Sequence, residues 1–124
     1  MNISFFVEGP CVPKGRPRVT RSGHTYTPKR TKDYESTVAW AAKDAMRQAF
    51  ATFGQIAMPT QMPVRVDLVI YPKDKRLSDI DNCAKSILDA MNGIVYMDDK
   101  QVNILLINRM DLGSKVGVHV EVEW

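Results

Sequence analysis

RLSDIDNCAKSILDAMNGIVYMDDKQV, residues 76–102, decides how the rest of the chain is read, because it gathers five acids and a central lysine into less than a quarter of the 124 residues. Asp79 and Asp81 stand at the expected start of a helix, with Ser78 before them as its cap. Ile80, Ala84, Ile87 and Met91 recur at three- and four-residue spacing, which makes one apolar face and leaves Asp81 and Lys85 together on another. Asn92 and Gly93 end the helix, and the apolar residues 94–97 lead to Asp98 and Asp99 before a strand that starts from Gln101 onward. Each feature has an ordinary structural account: acids complement a helix N-terminus, Asp81 and Lys85 make a surface pair, and two aspartates make a turn. Two acidic pairs on either side of one helix can equally converge through the fold, and carboxylates brought together repel unless a divalent cation joins them. Hard oxygen donors suit Mg²⁺ or Mn²⁺, not zinc.

Upstream of this stretch, Val64, Val66, Leu68 and Ile70 alternate with Arg65 and Asp67, a half-buried strand that delivers the chain to the acidic helix. Residues 51–63, with Gly54, Pro59 and Pro63, read as a surface loop. The helix before them starts at Thr27 as cap with Pro28 as first helical residue, or at Thr31 as cap, and runs to Phe50. Tyr34, Val38, Ala41, Ala45 and Ala49 mark its buried side, with Ala42 and Met46 beside them. Trp40 falls off the middle of that stripe, covering the edge of the core or sitting in a subunit contact. Residues 3–8 read as an inward strand stopped by Gly9 and Pro10, and residues 19–26 as a short hairpin with Ser22 and Gly23 at its tip, next to an exposed His24. Downstream, residues 102–110 are a mostly apolar strand, residues 113–117 a turn, and Val118, Val120 and Val122 alternate with His119, Glu121 and Glu123 in a last strand. Strand, hairpin, helix, strand, helix, strand, strand describes an α+β fold with two helices packed on one mixed or antiparallel sheet. If the strands at 64–71 and 102–110 are neighbours, the two aspartate pairs meet at one edge of that sheet.

A length of 124 residues and 44% hydrophobic content fit one domain, residues 1–124, around a single core. Cys11 and Cys83 are far apart in dissimilar contexts and suggest neither a disulfide framework nor a zinc site, so a reduced cytoplasm is the expected location. The first nine residues lack the pattern of a signal segment and nothing later approaches a membrane span, so a soluble, intracellular protein is expected. The formal charge of +3 is unevenly spread: Lys14, Arg16, Arg18, Arg21, Lys29, Arg30 and Lys32 follow one another with no acid between 14 and 32. One-sided basicity of this kind is the footprint of a nucleic-acid binder, and Pro13 and Pro17 stiffen the backbone where the first cations are presented. Lys14, Arg16, Arg18 and Arg21, with Lys73, Lys75 and Arg76 beside the acidic helix, are the expected DNA contacts; a solvated loop is the alternative.

Asp79-Ile-Asp81-Asn82-x-x-Lys85, then residues 88–93, then Asp98-Asp99-x-Gln101-Val102, together resemble the RusA family of Holliday-junction endodeoxyribonucleases. The match is close over this motif block and extends by length and order of elements over most of the chain. It implies that Asp79, Asp81 and Asp99 bind the catalytic metal, Mg²⁺ or Mn²⁺, that Lys85 is needed for cleavage, and that Asp98 and Asn82 support them. It further implies a homodimer acting on branched DNA, since resolving a four-way junction takes two cuts on symmetry-related strands. Leu77 and Ser78 stand where an unbroken basic run can occur in relatives, which bears on how tightly this segment holds DNA. Two other classes share part of the pattern: a nucleic-acid-binding module whose acids are structural, and an Asp-x-Asp metal-dependent transferase, whose chain would be longer and carry a nucleoside pocket.

Overall fold

Apolar and polar residues alternate with period two in residues 64–71 and 117–123, and these two segments pair with each other and with the apolar-rich segments 2–8 and 102–109 in one sheet. In the computed structural model, which describes residues 1–124, the elements are β1 (Asn2–Glu8), β2 (Arg18–Val19), β3 (Thr25–Tyr26), α1 (Lys29–Ala51), β4 (Val64–Tyr71), α2 (Ile80–Ala90), β5 (Val102–Arg109) and β6 (Gly117–Glu123), with a 3₁₀ turn over Asp99–Gln101. The sheet runs β1-β6-β4-β5; β6 is antiparallel to both neighbours, while β4 and β5 are parallel. The hairpin of β2 and β3 forms a small sheet of its own. The fold is therefore α+β, two helices on a mixed sheet.

Register puts Ile3, Val66 and Val122 in one row and Val7, Ile70 and Val118 in another, so β-branched side chains line a single face. All six are buried, and Val38, Ala42 and Met46 of α1 close over them together with Ala84 and Ile87 of α2. Each large side chain sealed there contributes about 2 kcal/mol. The buried stripe of α1 is Tyr34, Val38, Ala42 and Met46, one position round from the alanine row at 41, 45 and 49, which lies half-buried beside it. Trp40 covers no core edge: it is 71% exposed, with the Lys43 ammonium 5.3 Å from its ring.

Both helix starts differ from the expectation. Pro28 occupies the cap position of α1, and Thr31 is buried with its hydroxyl accepting the Gly15 N–H at 3.1 Å, so it ties down a loop and caps nothing. Asp79, not Ser78, is the cap residue of α2, and its side chain makes no capping bond. Ile80 lies on the apolar face but in the first turn, where the packing runs out and leaves it exposed; Cys83, Ala84, Ser86, Ile87 and Ala90 are the residues that bury.

β4 and β5 do lie side by side, the condition set for the aspartates to meet, but parallel pairing changes the consequence. Val64 stands abreast of Val102 and Ile70 abreast of Arg109, so the end of β4 and the start of β5 are at opposite ends of the sheet. Helix α2 spans the distance between them. The aspartate pairs thus flank the two ends of α2 and do not meet at one edge.

Candidate active site

At the start of α2, Asp79 and Asp81 are exposed, and the one bond either carboxylate makes is that of Asp81 Oδ1, which accepts the Asn82 N–H at 2.9 Å. One turn on, Lys85 is exposed and forms no ion pair; the expected surface pair with Asp81 is not made. Its charge acts on Asp99 instead. Partial burial raises the Asp99 carboxyl above the usual range, a hydrogen bond with Asp98 and the charges of Asp89 and Asp98 add to this, and Lys85 opposes them.

The far end is fixed by backbone bonds. Asp98 Oδ1 accepts the Lys100 N–H at 2.9 Å, which holds that carboxyl low. Gln101 Oε1 accepts the N–H groups of Met97 and Asp98 at 2.9 and 3.1 Å, and its Nε2 donates to the carbonyls of Thr60 and Met62 at 2.9 and 2.8 Å. Beneath the turn, the fully buried Tyr96 donates its hydroxyl to the Leu88 carbonyl at 2.7 Å, and Gly93, at φ 77°, turns the chain out of α2. Gln101 and Tyr96 hold the turn that carries Asp98 and Asp99, a structural part that the reading of acids and cations did not assign to them. The Asp98-x-x-Gln101 spacing of a capping box was the signal that could have found the first.

Lys14 is not the exposed cation expected of it. Its ammonium sits between Glu35 Oε1 at 2.5 Å and Asp89 Oδ2 at 3.0 Å, one carboxylate from each helix. Burial works against that charge, but the hydrogen bonds to Glu35 and Asp89 outweigh it and raise the Lys14 pKa. The root of the basic loop is stapled around it: the Lys14 N–H donates to the Asn82 carbonyl at 2.9 Å, and Ser86 Oγ donates to the Val12 carbonyl at 2.7 Å. Gly15 passes so close to α1 that a Cβ would stand 2.9 Å from Pro28 Cγ and Thr31 Oγ1. Beyond this root Arg16, Arg18 and Arg21 are exposed and unpaired along the β2–β3 hairpin, with His24 exposed at its tip. Lys73 and Arg76 line a cavity beside the start of α2, Arg76 reaching Asp74 at 3.3 Å, whereas Lys75 is exposed outside it.

Distance along the chain misled about the cysteines. Cys11 and Cys83 meet at that cavity as free thiols within hydrogen-bond reach of each other. The contact with Cys83, then burial, drives the Cys11 thiol up, and the same hydrogen bond outweighs burial to lower Cys83.

No three carboxylate, imidazole or thiol side chains stand close enough together to hold an ion by themselves. The donors are nevertheless of the right kind for a hard cation. Asp79, Asp81, Asp98 and Asp99 offer only oxygen and none is paired with a cation of the chain. Mg²⁺ keeps several waters and is commonly held by one or two carboxylates plus substrate phosphates, so each pair, at its own end of α2, fits an ion whose shell the substrate completes. No helix is long and apolar enough to cross a membrane.

The family model described as Endodeoxyribonuclease RusA matches residues 8–123. YqaN of Bacillus subtilis (strain 168), described as an uncharacterized protein, is 31% identical to this chain, and the match covers 86% of each.

Proposed function

The chain belongs to the RusA family of endodeoxyribonucleases, and from that premise we propose that it resolves four-way DNA junctions by divalent-metal-dependent phosphodiester hydrolysis, acting as a homodimer in recombination and repair within the cytoplasm. One observation carries this reading: the acids flanking α2 have no cation of the chain paired to them, while unpaired arginines stand nearby. Asp79 and Asp81 would hold one Mg²⁺ or Mn²⁺ at the start of α2, with Asn82 in support, and Asp99 a second past its other end, with Asp98 in support. Bound there, the metal supplies Lewis-acid polarisation of the scissile phosphate and a bound water of lowered pKa.

The chain's own residues supply the rest. Lys85, free of any carboxylate pair, sets a compact ammonium against the charge that develops on the phosphate in the transition state. Asp98, fixed as a cap, keeps Asp99 in place. Arg16, Arg18 and Arg21 hold the DNA through its phosphates, which fixes position without reading sequence.

Two cuts need two sites related by symmetry, and one copy carries one. The β5 edge supports a dimer: it has no charge before Arg109 and exposes Ile104, Leu105 and Leu106. A bare apolar edge invites pairing with another strand, and antiparallel contact between two β5 edges across a two-fold axis covers it.

The test is incubation with a synthetic four-way junction and Mg²⁺. Paired nicks at symmetry-related positions, lost on chelation, are expected. Binding without cleavage would return the chain to a nucleic-acid-binding module, and neither binding nor cleavage would favour transferase chemistry.

A further inference from the structure

The parallel pairing of β4 and β5 has a second result at the Asp79 end of α2. It brings Arg109, the last residue of β5, level with Ile70, so that the end of β5 and the loop after β4 share one rim of the sheet. There a cavity of about 330 Å³ opens, and its polar wall is basic: Arg30 from the first turn of α1, Lys73 and Arg76 from the loop after β4, and Arg109. Asp74 is the one acid in the wall, and it is taken by Arg76. Arg30 and Lys73 have no carboxylate partner, and the Arg109 guanidinium donates to the Ser78 carbonyl, which fixes it against the start of α2.

Four cations from three elements converging on one concavity differ from a scatter of surface lysines. Like charges held together this way are raised in energy until an anion arrives, and guanidinium forks match phosphate oxygens geometrically. The N-terminus of α2, where the Asp79 cap residue makes no side-chain bond, borders the cavity at Ser78 and Cys83. The volume is at the lower end of the range for small-ligand pockets, enough for a phosphate with its sugar and too small for a duplex.

We infer that this cavity is a second phosphate site, which takes a phosphodiester adjacent to the one that is cut and so sets where on the strand the cut falls. That the ligand is a DNA phosphate rests on the nuclease reading above; the affinity of the cavity for a phosphate group does not. Arg30 and Arg109 are thereby assigned to substrate binding, and Lys75, outside the cavity, is not. Asp79 and Asp81 lie at the same end of α2 and repel an anion unless neutralised, so the cavity fills together with a divalent ion at those carboxylates.

The experiment compares the parent with the Arg30→Ala/Lys73→Ala double variant in two measurements. In the first, inorganic pyrophosphate with Mg²⁺ is titrated into the protein while the backbone amide signals of Ser78 and Arg109 are followed. A saturable shift in the parent that is lost in the double variant is expected, whereas equal shifts in both proteins, or none in the parent, overturn the site. In the second, junction affinity is measured across salt concentrations and across a scan of single, uncharged methylphosphonate links. Cations that share one phosphate lower the slope of log K against log salt by about 0.9 in the double variant, and cations that serve separate phosphates would lower it by about 1.8 and overturn the proposal. One methylphosphonate position beside the cut should weaken the parent about tenfold and the variant not at all, as for loss of one charge-assisted contact. A pyrophosphate response in a protein that cuts no DNA would uphold the cavity and remove the nuclease reading.

Discussion

The two ends of α2 carry the same kind of side chain and are built in opposite ways. At the start, Asp79 makes no capping bond and Asp81 leans only on the N–H of its neighbour. Past the other end, Asp98 and Asp99 ride on a turn that Gln101 ties to two backbone groups on each side, above the buried Tyr96. A carboxylate without partners keeps its rotamer freedom until something binds, whereas one on a fixed turn is ordered when the chain folds. The pair at the far end is therefore fixed together with the fold, and the pair at the near end stays free to adjust. Preorganisation is built where the backbone can be tied to itself, and adaptability is left where the cations stand.

The contrast breaks most visibly in cleavage. Asp81→Asn should lower the cleavage rate by roughly 10³-fold, as for loss of a group that acts on transition-state charge. Unfolding in urea should then differ from the parent by no more than about 0.5 kcal/mol, because the one bond to that carboxylate, from the Asn82 N–H, can be accepted by an asparagine oxygen as well. A larger loss would mean that the near end is braced after all. Gln101→Ala tests the opposite end with the opposite signature: about 2–3 kcal/mol of stability, since its amide makes four hydrogen bonds that water only partly replaces. A urea midpoint within error of the parent would leave the turn without its supposed tie.

The smallest effect sharpens the comparison between the ends. Lys14 touches both, through its N–H to Asn82 and its ammonium to Asp89. Lys14→Met should cost about 1.5 kcal/mol at neutral pH, less than a fully buried pair because a fifth of the side chain is exposed. Its pKa is raised in the folded protein, so the stabilisation is complete below the ordinary lysine range and fades as pH climbs through the higher folded value. The gap between parent and variant should thus be flat through neutral pH and narrow only in strong alkali. A gap that already narrows below pH of about 9 would assign it to groups other than this ammonium.

Much of this was legible from local pattern. Alternation placed β4 and β6, three- and four-residue spacing placed both helices, and the Asn92-Gly93 stop of α2 matches a glycine at positive φ. Pairing was not legible, because periodicity says which face a strand buries and nothing about its neighbour. Hence the adjacency of β4 and β5 stood only as a condition, which the fold meets, and their parallel sense, which sends the aspartate pairs to separate ends of α2, had to come from the fold as well. The same limit hid the meeting of Cys11 with Cys83 and the commitment of Lys14 to both helices, contacts that span 72, 21 and 75 positions. The motif named Asp79, Asp81, Lys85 and Asp99 as a group but could not give their spacing in three dimensions. Arg109 escaped notice since a lone arginine ending an apolar strand carries no signal until the strand's partner is known.

The strand order β1-β6-β4-β5 also governs when the protein can come together. β6 is the last strand in chain order, yet it lies between β1 and β4, which share no ladder with each other. During synthesis β4, α2 and β5 can assemble as a local unit, while β1, packed only against α1, waits for its ladder partner until residues 117–123 emerge. Joining Asn2 to Glu123 closes a loop of nearly the whole chain, a high-contact-order step that is slow and falls late. The nascent protein therefore passes through a stage in which β1 lacks a strand partner, and β6 acts as the clasp whose arrival joins β1 to β4 and completes one cooperative fold.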